Sequence, residues 1–160
     1  DSLMVYNKLK SIKNVPFDDI GDSIYWDLVK GGLNNVPVLM EFLDNPEETG
    51  ILVMTLNPST IADLAYNIIE NIIYNMPTLE LIEEAGGCLK EEMNIYYYRF
   101  FLDGNNKNRC YFKETVKKWY SQNNSNLIWI TTDNHKYSDF AETNPFKNPA
   151  GGYYIFNNKE

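Results

Sequence analysis

The side chains able to do chemistry in this chain are carboxylates, one histidine, two thiols and many tyrosines. Acidic groups recur in clusters: Asp18-Asp19 with Asp22, Glu47-Glu48, Glu83-Glu84 and Glu91-Glu92. Two carboxyl groups roughly 5–9 Å apart across a cleft could hydrolyse a glycosidic bond, one protonating the leaving oxygen while the other attacks or activates water. Adjacency in sequence does not set that separation. Most of these acids fall in helix first turns or at helix ends, where water is the ordinary partner. A hydrolase using acidic residues near the Glu47 loop is therefore the alternative reading. His135 is the only histidine and lies in a polar stretch with Asp133 and Asp139. A Ser–His–Asp arrangement needs a nucleophile on a strained turn, and no GxSxG occurs. Neither GxGxxG nor a GxxxxGK phosphate loop is present. Asp103, Asn105 and Glu114 match positions one, three and twelve of a calcium loop, but Lys107 at five and Asn108 in place of the glycine at six break it. Two cysteines and one histidine do not furnish a structural zinc site. The expectation is no catalytic residue, no metal and no cofactor, which leans away from an enzyme.

The tyrosines carry more information. Tyr96-Tyr97-Tyr98, Tyr111, Tyr120, Tyr137, Tyr153 and Tyr154 exceed what a small core hides. An exposed ring offers contact area with a polar tip and suits a protein interface or the face of a sugar. The plainer alternative is that their hydroxyls reach water over helix edges. Tyr96, Tyr98, Tyr153 and Tyr154 are the expected binding residues. Cys88 and Cys110 are the only thiols. They could pair in an exported protein, or stay apart as small apolar groups.

The formal net charge of −8 opposes a phosphate-binding surface, because nucleic-acid affinity comes largely from Lys and Arg neutralising phosphates. It opposes an anionic membrane surface for the same reason. No apolar run is long enough to cross a bilayer. The chain starts at Asp1-Ser2 without an initiator Met, so either a leader was removed or the chain was trimmed. Its many Asn, Tyr and Thr residues suit export, and we expect the periplasm or cell envelope of a bacterium. A length of 160 residues suits one helical domain, 1–160, with 127–160 as a less regular extension.

These groups must be positioned by helices. Residues 2–13, with Leu3, Val5, Tyr6, Leu9 and Ile12, read as an amphipathic helix. Asp22 is a candidate N-cap for a helix carrying Ile24, Trp26, Leu28 and Val29, which Gly31-Gly32 stops. Asn35 and Pro37 open the next, with Val36, Leu39, Met40 and Leu43 at helical spacing. Ser59 or Thr60 caps a third, favoured by Asp63 in its first turn. Its Ile61, Leu64, Ala65, Ile68, Ile69, Ile72 and Ile73 make an apolar face too wide for a surface helix. Residues 46–58 read as a loop in which 51–56 is a short strand or buried extended segment. Thr78 starts a helix with Leu79, Leu81 and Ile82 inward. Further helices are expected at 89–103 and 110–122, the latter burying Tyr111, Phe112, Val116, Trp119 and Tyr120. Leu127–Thr131 and Gly152–Asn157 are β-branched and aromatic enough to pair as a short antiparallel ribbon lying on the helices.

The words YWDLVKGGLNNVPVLMEFLD, IADLAYNIIENII and VKKWYSQNNSNLIWI resemble degenerate HEAT-like helical hairpins. More narrowly, they resemble small exported bacterial proteins of unknown function. The resemblance spans about residues 22–130 and implies a mainly α fold: antiparallel hairpins around a central apolar helix, with the short C-terminal ribbon. It brings no catalytic residue with it. The function this suggests is a non-enzymatic module for a protein or glycan partner, or a structural accessory of an envelope assembly.

Overall fold

The computed structural model describes residues 2–17, 19–52, 58–86, 106–132 and 146–157. The expected helix at 89–103, Tyr96, Tyr98, Cys88, His135 and the Asp103 and Asn105 of the calcium-like loop lie outside the described residues. Among the described residues the fold is mainly helical, with two small antiparallel ribbons. In chain order the elements are α1 (Ser2–Ser11), α2 (Ser23–Lys30), a 3-10 turn (Gly32–Asn34), α3 (Val36–Met40), β1 (Glu48–Leu52), β2 (Pro58–Thr60) and α4 (Ile61–Ile72). There follow α5 (Thr78–Glu84), α6 (Asn106–Asn123), a second 3-10 turn (Asn124–Asn126), β3 (Leu127–Thr131) and β4 (Gly152–Phe156).

The Ile-rich helix α4 is the centre. All seven of its expected apolar positions, Ile61 through Ile73, are buried, and α1, α2 and α3 pack against it. Each fully buried Ile or Leu contributes about 1.5–3 kcal/mol of transfer free energy. The start of α4 is fixed by a reciprocal cap. Thr60 Oγ1 accepts from the Asp63 amide at 3.2 Å, and the Asp63 carboxylate accepts from the Thr60 amide at 2.8 Å.

The caps on the preceding hairpin differ from expectation. Asp22 occupies the N-cap position of α2 but makes no side-chain cap. Its carboxylate instead accepts from the amides of Lys13 and Asn14, because that loop presents two unpaired donors at closer range. Asn35 does not cap α3 either. Its Nδ2 donates 2.8 Å back to the Leu28 carbonyl, closing the C-terminal end of α2. Gly31 permits this, since a Cβ there would fall 1.9 Å from the Asn35 amide nitrogen. Gly32 carries the positive φ of 56° that turns the chain.

Two further expectations are corrected. Leu79 and Tyr111 face solvent, at 41% and 57% exposure. Leu81, Ile82, Phe112 and Val116 already fill the contact between α5 and α6, so the next positions around each helix turn outward. The loop expected over 46–58 contains a ribbon: β1 pairs antiparallel with β2, with an irregular register between Glu48 and Leu52. Of the strand or extended segment expected over 51–56, Ile51 and Leu52 belong to β1 and 53–56 lie outside the described residues. Ile51 is the ribbon's buried anchor.

The C-terminal ribbon forms where the sequence placed it. β3 and β4 pair in unbroken register, Leu127 opposite Phe156, Trp129 opposite Tyr154 and Thr131 opposite Gly152. β4 lies against the end of α4 and β3 lies outside it. A parallel bridge joins Ile73 to Tyr154, and the Tyr74 amide donates to the Tyr154 carbonyl at 2.9 Å.

Candidate functional site: a recess under the C-terminal ribbon

Alternation along β4 sends Tyr153 and Tyr154 to opposite faces. Tyr153 stacks on Tyr74 at 4.6 Å between ring centroids, on the outer face. Tyr154 turns toward the helices and meets the edge of Trp129 at 5.1 Å. Together with Ala150, these two rings and the turn Val29–Asn34 line an open recess of about 330 Å³. That is near the lower end of the range for small-ligand sites.

Each wall has a sequence cause. Glycine at 152 is required beneath Trp129, because a Cβ would fall 2.1 Å from the Ile130 carbonyl oxygen and 2.7 Å from the indole. The Tyr154 ring lies across Gly32, 3.5 Å from where a Cβ would stand. Tyr120 Oη donates to the Leu33 carbonyl at 3.4 Å and so fastens the turn to α6. Burial, with the nearby Tyr154 hydroxyl adding to it, raises the Tyr120 phenol above its ordinary value and keeps it a donor. Asn148 Nδ2 donates to the Gly152 carbonyl at 3.2 Å, fixing the start of β4. The C-terminal end of α2 borders the recess with its partial negative charge. A ligand offering neutral hydroxyl or amide donors suits such a wall better than an anion.

The acidic residues assemble differently. Glu47 is exposed. Its carboxylate accepts from Tyr6 Oη at 2.6 Å and pairs with Lys10. The hydrogen bond from Lys10, then that from Tyr6, holds the Glu47 carboxyl below its ordinary value. Glu41 is likewise lowered, chiefly by its hydrogen bond from Lys117. Among the described residues no group of three His, Cys, Asp or Glu side chains could hold a metal ion. Cys110 is exposed, with Sγ 3.9 Å from Asp44 Oδ2; its expected partner Cys88 lies outside the described residues.

Three polar features inside the helices gave no signal in the sequence. Tyr25 Oη donates to Asn67 Oδ1 and accepts from Asn71 Nδ2, both at 2.7 Å, in a network buried between α2 and α4. Arg109, which is buried, reaches Asp63 at 3.1 Å. Glu70 keeps some solvent contact at its surface, but burial raises its carboxyl to about 7. One turn before it, Tyr66 donates to or accepts from Thr78 Oγ1 at 2.8 Å. Burial first, then the charge of Glu70, raises the Tyr66 phenol well above its ordinary value.

Compared with known protein families, characterised proteins and solved structures, the chain matches none. No helix among the described residues is long and apolar enough to cross a membrane.

Proposed function

We propose that the protein is a non-enzymatic, HEAT-like interaction module, working outside the cytoplasm, that takes a protein or glycan partner in the recess between the Gly31–Asn34 turn and the ribbon. The observation that supports this is Trp129. It overhangs the recess 45% exposed, held over Gly152 and against Tyr154. An aromatic plane of that kind stacks on the apolar face of a sugar or on a peptide side chain, while the adjoining carbonyl-rich helix end accepts from hydroxyls or amides. Tyr154 belongs to this site; Tyr153 does not.

The hydrolase reading draws less support. Glu47 stands in the open with its oxygens engaged by Tyr6 and Lys10, an arrangement that leaves neither oxygen to a substrate. Titration of tryptophan fluorescence with neutral oligosaccharides and with unstructured peptides tests the proposal. The expected result is a saturable change with one class that is lost in Trp129→Ala and kept in Trp119→Phe. Equal binding by Trp129→Ala and the parent protein overturns it, as does the lack of any response to either class.

A further inference from the structure

We propose that the outer edge of β3 pairs with the same edge of a second copy of this chain, giving a closed dimer with a continuous four-stranded sheet. This does not rest on the ligand recess. The Asn157 amide donates to Asn126 O and the Thr132 amide to Gly151 O. Antiparallel pairs alternate between bonded and non-bonded, so residues 128 and 130 bond to β4. The backbone groups of Leu127, Trp129 and Thr131 therefore point away from it. Among the described residues the Leu127 amide donates to the Asn124 carbonyl of the preceding 3-10 turn, and no backbone partner meets the Leu127 carbonyl or either backbone group of Trp129 and Thr131. An uncovered strand edge is a template for another strand.

The opposite edge of the ribbon is closed. The Gly152 carbonyl accepts from Asn148, the Tyr154 carbonyl from the Tyr74 amide, and Phe156 exchanges two bonds with the Asn75 side chain. One open and one closed edge give a two-fold pair that ends at two copies instead of a growing filament.

A second copy fits this edge better than a foreign strand for two reasons. The outward residues are symmetric about Trp129, so antiparallel self-pairing sets Trp129 against itself and the Thr131 amide against the Leu127 carbonyl, with about four hydrogen bonds. Leu127–Thr131 also carries no charge, whereas edges that must stay single usually carry Lys or a proline. On the outer face, Ile128 and Tyr74 are exposed beside Ile130, Tyr153 and Ile155, and pairing brings Ile128 against Ile130 of the other copy. A five-residue edge with these flanks buries about 1,000 Å² in total, near the floor for a specific interface, so the dimer is expected to be weak, at about 10–100 µM. Each copy carries a formal charge of −8, and the resulting repulsion is screened by salt. The dimer should tighten with ionic strength, opposite to capture of a basic peptide.

Sedimentation velocity over a concentration series, at low salt and at about 0.3 M, is read together with hydrogen exchange resolved to single amides. The expected result is a monomer–dimer equilibrium strengthened by salt. The amides of 129 and 131 should gain protection with concentration, while those of 128 and 130 stay protected throughout. Thr131→Pro removes an outward donor together with the hydroxyl that accepts from Trp129 Nε1, and Ile128→Lys, which leaves that contact in place, sets an ammonium against the other copy's Ile130. Each should weaken the dimer about tenfold or more with circular dichroism unchanged. A monomer at all concentrations overturns the proposal. So does a dimer in which those two amides stay unprotected and both variants dimerise normally. Protection of the edge by an added peptide, with the protein alone monomeric, also overturns it.

Discussion

Replacing Glu70 by Gln should stabilise the protein at alkaline pH and leave it unchanged in acid. Among the described residues no hydrogen bond or ion pair meets the Glu70 carboxyl, and burial raises it to about 7. The groups facing it, the Tyr66 phenol and through it Thr78 and Glu80, supply no positive charge. A carboxyl held above its unfolded value binds its proton more tightly in the folded state. Its contribution is therefore fully present below the unfolded value near 4.5 and is lost as pH rises through about 7. The whole interval corresponds to about 3 kcal/mol. The residual solvent contact of Glu70 lowers this, so about 1–3 kcal/mol is the working range. A glutamine keeps the shape and cannot ionise. At pH near 4 the two proteins should unfold together. At pH near 8 the variant should melt higher by about 2–4 °C for each kcal/mol. Calorimetry of both proteins across this interval is the assay. The lowered carboxyls Glu41 and Glu47 are common to both and cancel in the difference. A pH-independent gap between the proteins, or a variant less stable at pH 8, would refute the reasoning.

Other substitutions probe the framework. Tyr25→Phe removes the hydroxyl shared by Asn67 and Asn71, leaving the 5%-exposed Asn71 amide short of a partner; a loss of about 1–3 kcal/mol in urea unfolding is expected. Thr60→Ala breaks the reciprocal cap on α4 and should cost about 1 kcal/mol by the same measurement. Gly152→Ala forces a methyl onto the Ile130 carbonyl and the Trp129 ring. It should abolish the near-ultraviolet signal of Trp129 while the helical far-ultraviolet signal is retained.

The helical body was legible because its signal is local. The isoleucines of α4 repeat at a spacing that only a buried helix satisfies, and Thr60 with Asp63 marks its start within four residues. The strand character of LIWIT and GYYIF was equally local, since β-branched and aromatic residues fit a pleated surface. Of the β1–β2 ribbon only the apolar end at Ile51 and Leu52 is legible as strand or buried extended chain; Glu48, Thr49 and Gly50 include poor strand formers, and nothing near Pro58–Thr60 signals the partner. Asp22 and Asn35 were assigned by type to the caps nearest in sequence, while the actual donors and acceptors were settled by which unpaired backbone groups the loops brought closer. The recess could not be read at all. Its floor and rim come from residues about a hundred positions apart, and only Tyr154 of its wall had been singled out. Leu79 and Tyr111 show the same limit on helices: hydrophobic type names candidates for burial, and the crossing of two helices decides which are taken.

The bonds from Tyr74 and Asn75 to Tyr154 and Phe156 span 81 positions in the Asn75 case. Residues 73–75 therefore wait for a strand made late in synthesis. On a ribosome the α4 layer can assemble early, but the Trp129 shelf comes into being only after residue 156 has left the exit tunnel. Nascent chains arrested before that point should possess the helical body without the aromatic shelf.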